Sequence, residues 1–181
     1  MDAKAQEIGL KAGGRLPVVT LTSVASGKQI SLREPAAGAP AILSLPPSPD
    51  RFAEYARTFA AKRPGYTNWA GRPVVLVPGD LANASAAAAD AGLTGADGGI
   101  GETTVLVDAD GSLRRGWGLA DDVAAVIVAD RWGEVYAVAA GTDPSELPGP
   151  DAIDEWLRFL AMQCPECGVI DEPGLGEWRP D

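Results

Sequence analysis

The pattern of hydrophobic and polar positions predicts strands in the first half of the chain. Residues 16–32 predict a β-hairpin, because a β-rich run and an alternating run flank a turn at 25–28. The uncharged stretch at 41–45 predicts a strand that is buried on both faces, and residues 73–77 predict a second one. We therefore expect both stretches to lie inside a sheet.

Helical periodicity follows the first buried strand. Four apolar residues recur three and four positions apart and predict an amphipathic helix: Phe52, Tyr55, Ala56 and Phe59. Ser48 is the predicted N-cap of this helix, with Pro49 at its first position. The alanine content of residues 84–91 predicts another helix. A last helix is predicted from 149 to 163 or 164, where a proline follows.

The second half of the chain contains two similar runs, 105–113 and 126–135, in which a strand leads into a turn of Asp and Gly. Residues 136–140 complete a hairpin with the second run. Residues 64–72 are predicted to be loop. The glycine-rich stretch at 92–101 is predicted to be a surface loop, because it lacks the Gly-Lys-Ser/Thr ending of a phosphate-binding loop.

Strands that alternate with helices predict the α/β fold class. A length of 181 residues, with 46% hydrophobic and 22% charged residues, fits one globular domain with short extensions. We divide the chain into an N-terminal extension at 1–14, a domain at 15–163 and an acidic C-terminal tail at 164–181.

The charge balance indicates which classes of partner to expect. Lys and Arg number 15 against 25 Asp and Glu, which gives a net charge of −10. Such a surface repels phosphate backbones and anionic lipids, so we expect neither nucleic acid nor a membrane as a partner. The first fifteen residues lack the apolar core of a signal peptide, and no apolar run approaches the ~20 residues of a membrane helix. We therefore expect a cytoplasmic location.

Histidine is absent from the sequence, and the only two cysteines are Cys164 and Cys167. The lack of histidine excludes imidazole acid–base catalysis, Cys/His nucleophile pairs and zinc sites of two cysteines and two histidines. In a reducing compartment, a Cys-x-x-Cys pair is more often redox-active or metal-binding than a structural disulfide. The pair is therefore the candidate chemical site.

The order of elements resembles the thioredoxin superfamily, in particular its alkyl hydroperoxide reductase/thiol-specific antioxidant (peroxiredoxin-like, redoxin) family. The resemblance spans roughly residues 15 to 163. The segments that carry it are 27–32, 41–61, 74–77, 107–118 and 126–135. It implies a thioredoxin-like fold: a central mixed β-sheet flanked by helices, with an N-terminal β-hairpin and a C-terminal extension.

The resemblance does not extend to the catalytic features of such proteins. They place a reactive cysteine at the start of the helix after the central strand, where the helix dipole and nearby cations lower the pKa of the thiol. In this chain that junction, residues 45–50, has the sequence Leu-Pro-Pro-Ser-Pro-Asp. Peroxiredoxins also use an arginine, and thioredoxins a cis-proline, ahead of the penultimate strand, where this chain has Val-Ala-Ala at 123–125. Ser48 is no substitute, because a serine hydroxyl needs a base.

Three interpretations of Cys164 and Cys167 stay open. In the first, both are catalytic: one thiol attacks a disulfide and the other resolves it, no cofactor is needed, and the partner is another thiol/disulfide protein or a small thiol. The position at the end of a helix, with Glu166 and Asp171 nearby, should raise the pKa of the thiols and slow the attack.

In the second interpretation, Cys164 and Cys167 bind zinc. Structural zinc takes four ligands, so the site needs the same pair from a second chain in a homodimer, or carboxylates such as Glu166 and Asp171. The protein is then a non-catalytic thioredoxin-like binding scaffold. In the third interpretation the pair is inert. A further alternative is a small-molecule pocket, without turnover, at the thiol-free junction of residues 45–50.

Overall fold

The computed structural model describes residues 9–93 and 104–163. Its seven strands form one sheet in the order β2-β1-β5-β4-β3-β6-β7. The strands are β1 (Thr20–Ser23), β2 (Gln29–Ser31), β3 (Ala39–Ser44), β4 (Gly71–Pro78), β5 (Thr104–Asp108), β6 (Ala124–Ala129) and β7 (Val135–Gly141). The helices are α1 (Ala53–Ala61), α2 (Arg63–Asn68), α3 (Leu81–Asp90), α4 (Ser112–Gly116) and α5 (Pro150–Met162). Short 3-10 turns occupy Pro35–Ala37, Asp50–Phe52 and Pro144–Glu146.

Strand β3 lies in the interior of the sheet, parallel to β4 and antiparallel to β6. Ile42 pairs with Val74 on one side and with Ile127 on the other. Because β4 is also parallel to β5, the carboxyl ends of β3, β4 and β5 lie at the same end of the sheet. The predicted buried strands are confirmed, and so are the hairpins β1–β2 and β6–β7.

The sheet is covered on both faces. Helices α1, α2, α3 and α5 pack on one of them, which we call the helical face, through residues such as Phe59, Ala88 and Trp156. The opposite face is covered by α4 and by residues 9–19, whose Leu10 and Leu16 are buried. Strands that are covered on both faces are predominantly apolar, which explains why the sequences of β3 and β6 carry no charge.

The amphipathic helix predicted after β3 is present as α1, but its predicted N-cap is wrong. The chain first forms the 3-10 turn Asp50–Phe52, in which the Phe52 N–H donates to the Pro49 carbonyl at 2.7 Å. No side chain caps this turn or α1. Because the first turn closes on Pro49, Ser48 lies outside the helix and its side chain is exposed.

The prediction of a loop at 64–72 is also wrong. Helix α2 occupies most of it, and β4 begins at Gly71. Pro64 is compatible with the first turn of a helix, where no N–H donor is required. Tyr66 is fully buried and its ring centroid lies 5.6 Å from that of Phe59, so tertiary packing stabilises a helix that sequence propensity does not favour.

The helices predicted at 84–91 and from 149 onward are confirmed as α3 and α5. Helix α3 starts at Leu81, three residues earlier than predicted. Asp80 caps it by accepting a hydrogen bond from the Asn83 N–H at 2.8 Å. Residues 94–101 of the predicted glycine-rich loop lie outside the described residues.

Gly38, which precedes β3, occupies a position that only glycine can fill. Its φ of 95° and ψ of −172° fall in a backbone region that is essentially restricted to glycine. A Cβ atom there would lie 2.1 Å from the Ala70 carbonyl oxygen, which accepts a hydrogen bond from the Ala39 N–H at 3.0 Å. We expect Gly38→Ala to lower the free energy of unfolding, measured in urea, by about 3 kcal/mol or more.

Gly27 provides the matched control for this prediction. Its φ is also positive, at 66°, but a Cβ atom there would meet nothing within 4 Å. Gly27→Ala should therefore cost only the backbone strain, about 1 kcal/mol. Equal losses in the two variants would contradict the clash with Ala70 as the source of the larger effect.

Candidate functional site

The junction between β3 and α1 lies at the carboxyl end of the central strand. Strand pairing continues as far as Leu45, whose N–H donates to the Leu76 carbonyl at 2.9 Å. Pro46 is buried, whereas Pro47 and Ser48 are exposed. We call residues 46–49 the junction turn. The resemblance places a reactive cysteine here, and the turn contains no thiol.

Arg114, which the sequence analysis did not single out, is buried directly against the junction turn. Only 4% of its surface is exposed. One terminal nitrogen, Nη1, donates to the Leu45 carbonyl at 2.8 Å and to the Ser44 Oγ at 3.3 Å. The other, Nη2, donates to the carbonyls of Ala120 at 2.6 Å and Val123 at 2.8 Å. One guanidinium thus joins the end of β3 to the segment that leads into β6.

Burial lowers the pKa of Arg114 from its ordinary value, because the surrounding protein solvates the charge less well than water. The charges of Asp121 and Asp108 act in the opposite direction. No ion pair to Arg114 occurs within residues 9–93 and 104–163, so its direct hydrogen-bond partners are neutral oxygens. Arg114 is therefore a cation that is held in place by carbonyl groups.

Asp108 determines where Arg114 is placed. Its buried carboxylate accepts hydrogen bonds from the backbone N–H groups of Leu113 at 3.3 Å and Arg114 at 3.2 Å. The chain reverses between them at Gly111, whose φ is 67°. The predicted turn of Asp and Gly leads into helix α4. No signal in the sequence distinguishes the buried Arg114 from its exposed neighbour Arg115.

Two cavities flank the junction turn. One, of about 720 Å³, lies at the carboxyl ends of β4 and β5. Its walls include Pro47, Pro78, Asn83, Arg114 and Asp121. The other, of about 440 Å³, is lined by Ser48, Arg51, Phe52, Asp121, Asp122 and Thr142. Crevices at the carboxyl ends of parallel strands are common ligand sites in α/β proteins.

The other catalytic features of the resemblance are also missing. The residue before β6 is Val123, whose carbonyl is bound by Arg114. No cis peptide bond occurs in the part of the chain that the structure describes. The same residues contain no group of three or more Cys, Asp or Glu side chains that could hold a metal ion. Asp121 and Asp122 line the same cavity as Ser48, but within the described residues neither accepts a hydrogen bond from the Ser48 hydroxyl, so no base activates it.

The predicted site residues Cys164 and Cys167 lie outside the described residues. The residue before them, Gln163, follows α5, which extends about 20 Å at the rise of an α-helix. The Tyr136 hydroxyl donates to the Gln163 Oε1 at 3.4 Å, and Tyr136 lies at the start of β7. Because β7 has the same direction as β3, Gln163 lies at the end of the sheet opposite the junction turn. The structure therefore places Gln163, the residue before the cysteine pair, away from the junction turn.

Among residues 9–93 and 104–163, no helix combines the length and apolar character needed to cross a membrane.

Comparison with known proteins gives structural neighbours only. No protein-family model and no curated protein matches the sequence. Peroxidoxin BcpB from Mycobacterium tuberculosis superposes with a TM-score of 0.63 at 14% identity, over 86% of this chain and 99% of that one. The bacterioferritin comigratory protein of Xanthomonas campestris gives 0.61 at 15% identity, over 79% and 92%. A secreted disulfide oxidoreductase of Mycobacterium tuberculosis gives 0.51 at 14%, over 75% and 91%. At these identities the likeness establishes the fold alone.

Proposed function

We propose that this chain, whose fold is that of the thioredoxin superfamily in its redoxin-like form, takes part in thiol–disulfide exchange through Cys164 and Cys167. The partner is another thiol/disulfide protein or a small thiol. In this proposal the junction turn takes no part in the chemistry.

One observation supports the proposal: the junction turn, where proteins of the resembled family place a reactive cysteine, contains no cysteine in this chain. The junction turn consists of Pro46, Pro47, Ser48 and Pro49, and its cationic neighbour Arg114 is bound to backbone carbonyls. The only thiols of the whole sequence are those of Cys164 and Cys167. Their two-residue spacing forms a ring that both the dithiol and the disulfide tolerate. Any exchange by this chain therefore uses this pair.

The reaction proceeds in two displacements. The thiolate of one cysteine attacks a sulfur of the partner disulfide, forming a mixed disulfide and releasing one partner thiolate. The thiolate of the second cysteine then attacks the sulfur of the first, closing the Cys164–Cys167 disulfide and releasing the second partner thiolate. Two electrons pass to the partner, and the two protons lost by Cys164 and Cys167 end on the released thiols. The reverse sequence oxidises a partner dithiol.

The described structure bears on how fast the exchange proceeds. Cys164 comes two residues after the last residue of α5, Met162, and the carboxyl end of a helix carries partial negative charge. Glu166, between the two cysteines, adds a full negative charge. Both disfavour the thiolate, which is the attacking species. We therefore propose a partner whose own thiol is a good leaving group, because a low leaving-group pKa speeds the exchange.

Intact-mass spectrometry tests the proposal. The full chain is reduced, freed of reductant, treated with oxidised glutathione and sampled over time under denaturing, alkylating conditions. We expect the loss of two hydrogens with both thiols protected from alkylation, and a transient glutathione adduct before it. If both thiols stay open to alkylation throughout, the proposal is refuted. Because the sequence has no other cysteine, the mass change can be assigned without peptide mapping.

A second candidate function, a non-catalytic binding scaffold, is favoured by the two cavities beside the junction turn. They offer a crevice of about 720 Å³ and a smaller one of about 440 Å³, with no thiol in either lining. In this candidate, Cys164 and Cys167 contribute half of a four-cysteine zinc site shared by two chains. Metal analysis of protein purified without chelator separates the two functions: about half an equivalent of zinc per chain, bound by sulfur, supports the scaffold.

A further inference from the structure

The larger of the two cavities beside the junction turn, which we call the charged cavity, is lined by charges of both signs. Two cations, Arg114 and Arg115, and two carboxylates, Asp110 and Asp121, belong to its lining. Arg114 is almost completely buried, so one wall carries a cation that water solvates poorly. The volume of about 720 Å³ falls within the range of about 300–1,000 Å³ that is usual for ligand sites. The cavity is therefore large enough for a small molecule and has polar groups that can orient it.

Two of the four charged groups are bound within the protein. Both terminal nitrogens of Arg114 donate to protein oxygens, and only its Nε–H binds no other described residue. The Asp110 carboxylate accepts a hydrogen bond from the Ser112 N–H at 3.0 Å. Hydrogen bonds from Ser112 keep the pKa of Asp110 below its usual range, so this carboxylate is charged at neutral pH. Arg114 and Asp110 therefore give the walls fixed charges of opposite sign.

The other two charged groups, Arg115 and Asp121, have free hydrogen-bonding capacity. Arg115 is exposed, and apart from the Nη1 bond to the Asp110 carbonyl its guanidinium binds no other residue in the part of the chain that the structure describes. Asp121 is also exposed, and over residues 9–93 and 104–163 its carboxylate takes part in no hydrogen bond or ion pair. A planar guanidinium fits a ligand carboxylate, and a free carboxylate fits a ligand ammonium group.

Most of the remaining lining is apolar, with one amide. Pro47, Pro78 and Leu119 contribute apolar surface that can contact small apolar side chains. Asn83 donates from Nδ2 to the Asp80 Oδ2 at 3.2 Å, and its Oδ1 is able to accept a hydrogen bond from a peptide N–H. The lining therefore has a partner for each part of a short peptide: its carboxylate, its ammonium group, its N–H and its side chains.

We propose that the charged cavity binds a short peptide as a zwitterion, with the peptide carboxylate at Arg115 and its ammonium group at Asp121. A simple anion would leave the Asp121 carboxylate unpaired and would be repelled by it. A simple cation would meet the same repulsion from Arg114 and Arg115. A ligand that carries both charges pairs with both sides of the cavity, and the unpaired charge that any other ligand leaves is what makes the site selective.

The proposal assigns a ligand to the second candidate function, the binding scaffold, and rests on that function only in placing a ligand here. The lining contains no thiol, and Gln163, which precedes the cysteine pair, lies at the opposite end of the sheet. Peptide binding should therefore be the same in the double variant Cys164→Ser/Cys167→Ser and in protein treated with a chelator. Zinc without peptide binding would overturn this proposal alone. Peptide binding without zinc would support it and refute only the shared zinc site.

Isothermal titration calorimetry on the full chain measures the binding of trialanine in its free, N-acetylated and C-amidated forms. The free tripeptide carries both charges, whereas each capped form has lost one. We expect the free form to bind, and each capped form to have a dissociation constant at least about fivefold higher, because one charge of the cavity stays unpaired. Equal affinities for all forms, or no binding of the free form at about 10 mM peptide, would overturn the proposal.

Two substitutions of exposed residues locate the two ends of the peptide. With Asp121→Asn, the preference for the free over the N-acetylated form should be lost, while the preference over the amidated form is kept. Arg115→Gln should show the reverse pattern. The matched controls are Arg131→Gln and Glu134→Gln, exposed residues at the opposite end of the sheet, and they should keep both preferences. If the controls change the preferences as much, or neither cavity variant changes them, the peptide binds elsewhere and the proposal fails.

Discussion

Replacing both Cys164 and Cys167 by serine is expected to lower the rate of thiol–disulfide exchange at least about 100-fold, to the background of the assay. A serine hydroxyl neither ionises near neutral pH nor forms a bond to sulfur that can be exchanged. No other thiol exists in the sequence to take over. The rate is measured as the reduction of oxidised glutathione by the pre-reduced, desalted chain.

The single variants separate the two roles within the pair. The variant that lacks the attacking cysteine should be as slow as the double variant. The variant that lacks the resolving cysteine should accumulate a stable glutathione adduct, because its first displacement still occurs. Ser48→Ala, in the exposed junction turn, is the matched control and should change the rate by less than about twofold. If Ser48→Ala lost as much rate as the double variant, the junction turn would have to take part in the reaction.

Replacing Arg114 by methionine is expected to lower the free energy of unfolding by about 3–4 kcal/mol. Methionine fills a similar volume but leaves the carbonyls of Leu45, Ala120 and Val123 without the donor that binds them. A buried acceptor that loses its partner costs about 1–3 kcal/mol. Chemical denaturation, with far-ultraviolet circular dichroism as the signal, measures the change.

Arg115 provides the control for this prediction, because it is the same residue type one position along α4. Its side chain is exposed, and its Nη1 donates to the Asp110 carbonyl at 2.5 Å. Arg115→Met should change the free energy of unfolding by no more than about 0.5 kcal/mol. Arg114→Lys keeps the charge but not the planar fork, so it should recover only part of the loss. Similar losses at both positions would show that helix α4 is sensitive to any substitution and that the four hydrogen bonds are not the cause.

The parts of the fold that the sequence predicted are those that packing and periodicity determine together. The uncharged stretches that became β3 and β4 are buried on both faces of the sheet, so composition alone reveals them. Helix α5 combines an apolar stripe with a proline at its first turn. The hairpin β1–β2 and the strands β3 and β4 are among the segments that carried the resemblance to the redoxin family, and the structural neighbours agree with the fold that it implied.

The errors arose where distant contacts override local preference. Helix α2 forms because Tyr66 is buried against Phe59, although its segment contains proline and glycine. The sequence gives no sign of the burial of Arg114 either. That burial depends on carbonyl groups from two separate segments, the end of β3 and residues 120–123, and no local pattern shows that they converge. The cysteine pair was identified by elimination from composition, and its redox role stays a prediction.

The position of β3 between its two neighbours also has a consequence for synthesis on the ribosome. Ala41 pairs with Pro73 on one side and with Val128 on the other, and 128 − 41 gives a separation of 87 residues for the second partner. At about 5–20 residues per second, translation takes roughly 4–17 s to supply it. Throughout that interval one flank of the uncharged strand β3 lacks its neighbour. In the nascent chain, the edge of β3 that later pairs with β6 therefore stays unpaired until β6 has emerged from the exit tunnel.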